Sequence, residues 1–229
     1  MVLLLNSCGF LPRSTPAPVA DLKAGAHDGE ELVVFLPGRW STMDEFKREG
    51  FFQIASERWP DAELVAVDLH LGYYRKRLSA KRLHEDVIAP ARSRGVKRVR
   101  VVGISMGGLG ALIHDLEYPE DIDEMYLLSP FVGEEKVTEE IRSAGGVRNW
   151  KGEPTGDRDY SRRLWRSLEL KWLEQRDRPE VILACGTEDR LVESNRLFAQ
   201  DFLSEEQTLW QSGGHEWPTW RSLFREMIR

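Results

Sequence analysis

From residue 31 onward, the chain alternates between two patterns of apolar and polar positions. Short runs rich in β-branched residues predict buried parallel strands, at residues 31–36, 63–68, 98–103, 125–129, 181–185 and 208–210. Longer stretches with apolar residues at helical spacing lie between them, at residues 43–58, 80–94, 107–117, 193–203 and 219–228. This alternation predicts an α/β fold with a doubly wound, mostly parallel, six-stranded sheet.

One interval, between the fourth and fifth predicted strands, departs from this alternation. It holds about 50 residues, whereas such connections usually take 2–6. Its middle, residues 145–159, is rich in glycine, proline and charge, and Trp165 and Trp172 then fall on one face of a predicted helix. An insertion here lies above the carboxyl ends of the strands, where ligands bind in such sheets. We therefore expect residues 131–179 to form a short helical lid; the alternative is a surface excursion that its own tryptophans anchor.

The first 30 residues have a different character. A short apolar run leads to Cys8, and a stretch rich in Pro, Ser, Thr and Ala follows. The sequence Leu5-Asn6-Ser7-Cys8 resembles the lipobox of bacterial lipoproteins, although Asn6 fits it poorly and no basic segment precedes it. Two interpretations stay open. Either a lipidated Cys8 anchors the protein to the cell envelope and the true start lies upstream of Met1, or this is an ordinary apolar terminus of a cytoplasmic protein.

Length and composition limit the number of domains and the classes of partner and cofactor. A chain of 229 residues fits one large domain, so we divide it into a tether, residues 1–30, and a single domain, residues 31–229. A net charge of −6 argues against nucleic acid as a partner. Two cysteines cannot build a disulfide framework, and no Cys/His spacing indicates structural zinc. We expect neither a metal nor a cofactor.

A glycine-flanked serine is the first candidate for chemistry. The sequence Gly103-Ile104-Ser105-Met106-Gly107 fits the pattern G-x-S-x-G, with a predicted strand directly before it and a predicted helix directly after it. A nucleophile elbow requires this strand–turn–helix context, because the sharp turn exposes the serine hydroxyl above the sheet. The alternative is that Ser105 is one of many serines in tight turns.

A serine nucleophile needs a general base and an acid that orients it. Asp189 directly follows the fifth predicted strand, and His215 lies in a Gly-rich loop after the sixth. Both therefore fall on the same sheet edge as Ser105. Glu188 is the alternative acid, and Asp189 is alternatively a helix cap. His70 lies on this edge too, as either a substrate contact or a loop residue.

These residues give the chain a resemblance to the α/β-hydrolase fold family. Gly186-x-x-Asp189-x-x-Val192 looks like the acid loop of that family, and the segment beginning Gly214-His215-Glu216-Trp217 looks like the histidine segment of its small esterases. The resemblance implies Ser105 as nucleophile, His215 as base and Asp189 as orienting acid. It also implies the strand order 4-3-5-6-7-8 of the family scheme, without the first two strands, because little chain precedes residue 31.

The family also implies an oxyanion hole made of backbone amides. The amide of Met106 is the first expected donor, and Arg39 or Trp40, in the loop after the first strand, supplies the second. We predict that four side chains contact the substrate: Trp40, His70, Trp165 and Trp217.

The sequence thus predicts a serine hydrolase that cleaves a carboxylic ester or thioester with a small to medium acyl group. Its partner would be a small-molecule ester, and its oligomeric state stays open. Two alternatives remain: an acyltransferase that uses the same residues, and a non-catalytic binding module that has the same fold.

Overall fold

A mixed β-sheet runs through the computed structural model, which describes residues 21–25, 29–173 and 178–229. In these residues the sheet has seven strands: β1 (Asp21–Gly25), β2 (Glu31–Leu36), β3 (Glu63–Val67), β4 (Arg98–Ile104), β5 (Glu124–Leu128), β6 (Glu180–Gly186) and β7 (Thr208–Gln211). Their order is β1-β3-β2-β4-β5-β6-β7. Every described pair of neighbours is parallel except β1 with β3. The predicted doubly wound, mostly parallel sheet is confirmed.

The expectation of six strands was wrong, because β1 adds an antiparallel edge strand. Asp21 pairs with Val67, and Gly25 with Glu63, so the sheet begins within the segment that we assigned to the tether. The sequence of β1, Asp-Leu-Lys-Ala-Gly, has no β-branched residue, and an edge strand pairs on one side only. The strand pattern of β1 in the sequence is therefore weak. Cys8 and the rest of residues 1–20 lie outside the described residues.

Helices cover both faces of the sheet: α1 (Met43–Arg48), α2 (Phe51–Arg58), α3 (Leu71–Arg75), α4 (Ser79–Leu83), α5 (Ala89–Ser93), α6 (Met106–Glu117), α7 (Glu135–Ser143), α8 (Tyr160–Leu168), α9 (Val192–Phe202) and α10 (Trp217–Met227). Single π-helical turns follow α4 (His84–Ile88) and α8 (Glu169–Leu173), and a 3-10 turn (Glu205–Gln207) precedes β7. No helix among the described residues is long and apolar enough to cross a membrane.

Alternate side chains of the central strands enter two cores. Val33 and Phe35 of β2 pack with the core that α1, α2 and α10 cover. Val34 and Leu36 pack with the core on the opposite face, which includes side chains of α6 to α9. This is the period of two that a strand buried on both faces requires.

The insertion after β5 is helical, as predicted, and it packs into the second core. Trp165 is fully buried and Trp172 is nearly so, and both rings contact Phe198 and Phe202 of α9. The Trp165 indole nitrogen donates to the Val132 carbonyl oxygen at 2.7 Å. These contacts anchor the insertion to the body of the domain. Tryptophans that anchor the segment in this way were the alternative to a lid in the sequence analysis.

Because the six strands β2 to β7 are parallel, they all end at one edge of the sheet, which we call the carboxyl edge. The loops after β2, β4, β5, β6 and β7 meet there, and they carry the candidate site.

Candidate active site

Ser105 occupies the sharp turn between β4 and α6. Its backbone has φ 53° and ψ −112°, a region that residues other than glycine rarely adopt, and the residue is buried. Two neighbours must be glycine for the turn to form. A Cβ on Gly107 would overlap the Leu36 carbonyl group, and one on Gly103 would lie 2.7 Å from the Gly107 carbonyl oxygen. This is the backbone geometry that the nucleophile elbow requires.

Three side chains from separate loops form a continuous chain of hydrogen bonds. His215 Nε2 lies 3.0 Å from Ser105 Oγ, and His215 Nδ1 lies 2.8 Å from Asp189 Oδ2. With Nδ1 protonated and donating to the carboxylate, Nε2 is left to accept the serine proton. The structure therefore brings together the serine, histidine and aspartate that the sequence analysis selected.

Asp189 is held as a buried carboxylate. Burial by itself raises the pKa of this group, but hydrogen bonds from His215, the Leu191 backbone N–H and Ser129 outweigh burial, so the pKa lies below its ordinary value. The Leu191 N–H donates to Asp189 Oδ1 at 2.8 Å. Asp189 thus orders the turn before α9 and faces His215 with the same carboxylate.

Glu188, the alternative acid, faces the histidine loop instead of the His215 ring. Its exposed carboxylate accepts hydrogen bonds from the Gly213 backbone N–H, from Ser212 Oγ at 3.3 Å and from Thr187 Oγ1 at 2.8 Å. These bonds, led by that from Gly213, lower the pKa of Glu188. Glu188 therefore fastens the histidine loop to the loop after β6.

The loop after β2 lies against the serine. Ser41 N–H donates to the Gly38 carbonyl at 3.2 Å, which closes a turn with Arg39 and Trp40 at its centre. A Cβ on Gly38 would lie 3.6 Å from Ser105 Cβ, so this turn borders the nucleophile.

Two of the predicted oxyanion donors have suitable positions in the backbone. Met106 is the first residue of α6, where a backbone N–H has no partner within the helix. The N–H of Arg39, at the second position of the turn, is not used by the bond that closes that turn. Their role in binding an oxyanion stays a prediction.

The four predicted substrate contacts have different environments. Trp40 is 61% exposed at the carboxyl edge, and the Arg39 guanidinium lies 4.6 Å from its ring centre. The prediction for Trp165 was wrong, because its ring is fully buried against α9. Helical spacing places a ring on one face of a helix, and the sequence does not tell whether that face meets a pocket or the core.

Trp217 and His70 both have packing roles. The half-buried Trp217 ring makes edge-to-face contacts with Phe46 and Phe51. His70 Nδ1 accepts a hydrogen bond from the Gly72 N–H at the start of α3, and its ring packs against Tyr73. His70 thus serves as the cap of a short helix, as its loop interpretation expects, and substrate contact by either residue stays a prediction.

Two further residues support the site: Ser129, which was not among the predicted site residues, and Trp220, which lies in the histidine segment. Ser129 follows β5, is fully buried and has a φ of 45°. The indole nitrogen of Trp220 donates to Ser129 Oγ at 3.2 Å, and the Trp220 ring lies edge-on to His215 at 4.8 Å between ring centres. A signal for Ser129 was present, because it is a polar residue at the end of a central strand.

The described residues contain no group of three or more His, Cys, Asp and Glu side chains that could hold a metal ion.

Comparison with known proteins adds a family and a fold. The model of the Esterase family matches residues 80–229. An acetyl esterase of Caldicellulosiruptor saccharolyticus is 31% identical in an alignment of 130 residues; the match covers 52% of this chain and 48% of that protein. The chain therefore spans about half the length of this curated relative.

Solved structures match over more of the chain. The S-formylglutathione hydrolase of Staphylococcus aureus has a TM-score of 0.61 at 14% identity, covering 96% of this chain and 98% of that one. A monoacylglycerol lipase of Paleococcus ferrophilus has a TM-score of 0.57 at 15% identity, covering 93% and 99%. At these identities the likeness concerns the fold, and it confirms the α/β-hydrolase fold expected from the sequence.

Proposed function

This chain belongs to the Esterase family, and from that premise we propose that it hydrolyses carboxylic esters through an acyl-enzyme formed on Ser105. One observation carries the proposal: the hydrogen-bonded chain from Ser105 Oγ through His215 to Asp189, built on an elbow whose glycines leave no room for side chains. The strained backbone at Ser105 costs folding free energy, and packing alone does not explain why a base and an acid are aligned with its hydroxyl.

In the first half of the reaction, Ser105 Oγ attacks the ester carbonyl carbon while His215 Nε2 takes the hydroxyl proton. Asp189, already ionised, stabilises the imidazolium and holds the ring in place. The tetrahedral intermediate then collapses, the bond between the carbonyl carbon and the alkoxy oxygen breaks, and His215 gives its proton to the departing alcohol. The acyl group is left on Ser105.

In the second half, His215 Nε2 takes a proton from water as the water oxygen attacks the acyl carbon. Collapse of this second intermediate releases the carboxylic acid, and the proton on His215 returns to Ser105 Oγ. No step requires a cofactor.

Negative charge develops on the carbonyl oxygen in both halves. We assign the backbone N–H groups of Met106 and Arg39 to hold it, since both lie in backbone that borders Ser105. One such donor lowers the barrier by about 3 kcal/mol in well-studied hydrolases. The positive end of the α6 dipole adds to this stabilisation.

For the substrate we propose an ester with a short acyl group such as acetyl. The support is the acetyl esterase that matches about half of the chain. Exposed Trp40, in the turn beside Ser105, would contact one side of the bound ester.

Labelling with a fluorophosphonate probe tests the nucleophile. We expect the wild-type protein to react and the Ser105→Ala variant to stay unlabelled. Ser56→Ala, which removes an exposed hydroxyl on α2, is the matched control and should label like the wild type. A wild-type protein that labels no better than Ser105→Ala would contradict the proposal and favour a binding module.

A panel of p-nitrophenyl esters tests the substrate class. We expect kcat/KM to be highest for acetate and to fall as the acyl chain lengthens; a maximum at long chains would contradict the short-acyl proposal. Product analysis with competing alcohols separates the transferase, which would give new esters as the main products, from the hydrolase, which gives the free acid.

A further inference from the structure

A buried asparagine lies between the serine elbow and the turn that carries the catalytic acid. Asn195 is near the start of α9 and is fully buried. Its Nδ2 group donates to the Pro130 carbonyl oxygen at 2.8 Å and to the Leu191 carbonyl oxygen at 2.9 Å. The N–H bonds of one side-chain amide thus connect the loop after β5 to the loop after β6.

On one side, this connection reaches the nucleophile. Phe131 directly follows Pro130, and its N–H donates to the Ser105 carbonyl oxygen at 2.9 Å. A Cβ on Gly108, in the first turn of α6, would lie 2.6 Å from Pro130 Cβ, so the Pro130 ring packs directly on the helix that follows Ser105. A hydrogen bond and a packing contact therefore hold this loop segment against the elbow.

On the other side, the connection reaches the acid. The Leu191 N–H donates to Asp189 Oδ1 at 2.8 Å, and Asp189 Oδ2 lies 2.8 Å from His215 Nδ1. Leu191 therefore binds the acid through its N–H and the Asn195 amide through its carbonyl oxygen. Because His215 Nε2 lies 3.0 Å from Ser105 Oγ, the bonds form a closed circuit through the elbow, the amide, the acid and the base.

Asparagine is an unfavourable residue at this position of α9. It is a poor helix former, and the α9 side chains Leu197 and Phe198 that follow it are core residues. Burying an amide costs free energy for each atom without a partner, and Asn195 Oδ1 has no partner among the described residues. The two carbonyl oxygens fix which end of the amide is the nitrogen, since an amide oxygen there would meet two acceptors. A leucine of similar size would avoid these costs, so the asparagine points to a use for its N–H bonds.

We propose that Asn195 is a positioning residue, which holds the acid turn at a fixed distance from the elbow and so keeps Asp189 and His215 in line with Ser105. Because Asn195 is fully buried, it acts through Asp189 and does not touch the substrate. This inference rests on the proposed function, since it assigns a role within that reaction.

Asn195→Leu and Asn195→Ala test the proposal. Both remove the amide N–H bonds; leucine fills the space with an apolar group, and alanine cannot overfill it. The Leu191 carbonyl keeps the bond from the backbone N–H of residue 195, at 3.0 Å, so α9 should still begin at the same place. We expect each variant to lower kcat on p-nitrophenyl acetate by about tenfold to 10²-fold, the range for a small misplacement of catalytic groups, with KM within about twofold of wild type.

Two comparisons separate positioning from a loss of stability. Leu197→Ala is the matched control, because it removes a buried side chain of the same helix that takes no part in the circuit. It should lower the melting temperature and keep kcat within about twofold of wild type below the melting range. The second comparison repeats Asn195→Leu in an Asp189→Asn background, with the rate of fluorophosphonate labelling as the readout. There the change should slow labelling by less than about twofold, against about tenfold or more in the wild-type background.

Three results would overturn the inference while leaving the proposed function intact. Asn195 variants that keep kcat within about threefold of an active wild type would mean that the reaction does not need these bonds. Equal losses in both backgrounds would mean that Asn195 does not act through Asp189. A loss of kcat in Leu197→Ala as large as that in Asn195→Leu would mean that any weakening of α9 has the same effect. An inert wild-type protein would contradict the proposed function itself, and this inference with it.

Discussion

Replacing Asp189 with asparagine is the change that tests the acid most sharply. The substitution keeps the size of the side chain and an oxygen that can accept from the Leu191 N–H, so the turn before α9 should persist. It changes the atom that faces His215 Nδ1, now 2.8 Å from a carboxylate oxygen. An amide nitrogen there donates instead of accepting, which favours the His215 tautomer with its proton on Nε2, while Oδ1 also lies 3.0 Å from Nδ1.

The expected loss follows from this tautomer. With a proton on Nε2, His215 cannot take the proton of Ser105, which lies 3.0 Å away. An aspartate-to-asparagine change of this kind costs about 10⁴-fold in kcat in a serine protease, which corresponds to about 5.5 kcal/mol of barrier. We expect a loss of at least 10³-fold here, on that precedent.

Steady-state hydrolysis of p-nitrophenyl acetate, with the melting temperature measured in parallel, checks the prediction. KM should change little and the melting temperature should stay within a few degrees. Glu188→Gln is the matched control, because it removes the neighbouring carboxylate, which fastens the histidine loop and does not face the ring. If Glu188→Gln lost more activity than Asp189→Asn, our assignment of the acid would be refuted.

Three further predictions concern the elbow, the ionisation of Asp189 and the two tryptophans. Gly107→Ala should lower the free energy of unfolding by about 3 kcal/mol or more, measured by urea denaturation, because its Cβ would overlap the Leu36 carbonyl; a change below about 1 kcal/mol would contradict the elbow packing. The pKa of Asp189 is lower in the folded than in the unfolded chain, so its contribution to stability is complete above the unfolded pKa of about 3.9 and is lost as pH falls through the folded pKa. Urea midpoints between pH 6 and pH 3 should therefore fall more steeply for wild type than for Asp189→Asn, and equal slopes would contradict the shift. Trp40→Ala should raise KM without changing the melting temperature, whereas Trp165→Ala should cost about 3–5 kcal/mol of stability; the reverse pattern would contradict their environments.

The catalytic residues could be predicted because their chemistry constrains both their order and their place in the fold. Ser105, Asp189 and His215 each follow a strand, and parallel strands bring their carboxyl ends to one edge. Gly107 is needed because the Leu36 backbone lies too close to it for a Cβ, and this requirement is visible in the sequence as a glycine of the motif. Local pattern and global fold agree at these positions.

The features that the sequence did not reveal depend on tertiary packing. Strand β1 is short and polar and is stabilised by its pairing with β3, which no local pattern records. Trp165 has the same helical spacing whether its ring faces a pocket or α9. Ser129 stands out only in the structure, because its partner Trp220 lies 91 residues later in the chain and its backbone has a positive φ.

The central claim is that Ser105 carries the acyl group of the substrate. Rapid acid quenching of wild-type protein with p-nitrophenyl acetate, followed by mass spectrometry of its peptides, measures this directly. We expect one acetyl group on the peptide that contains Ser105, and no acetyl group on that peptide in Ser105→Ala. Ester turnover by Ser105→Ala at the wild-type rate, or acetylation of wild type at another residue only, would contradict it.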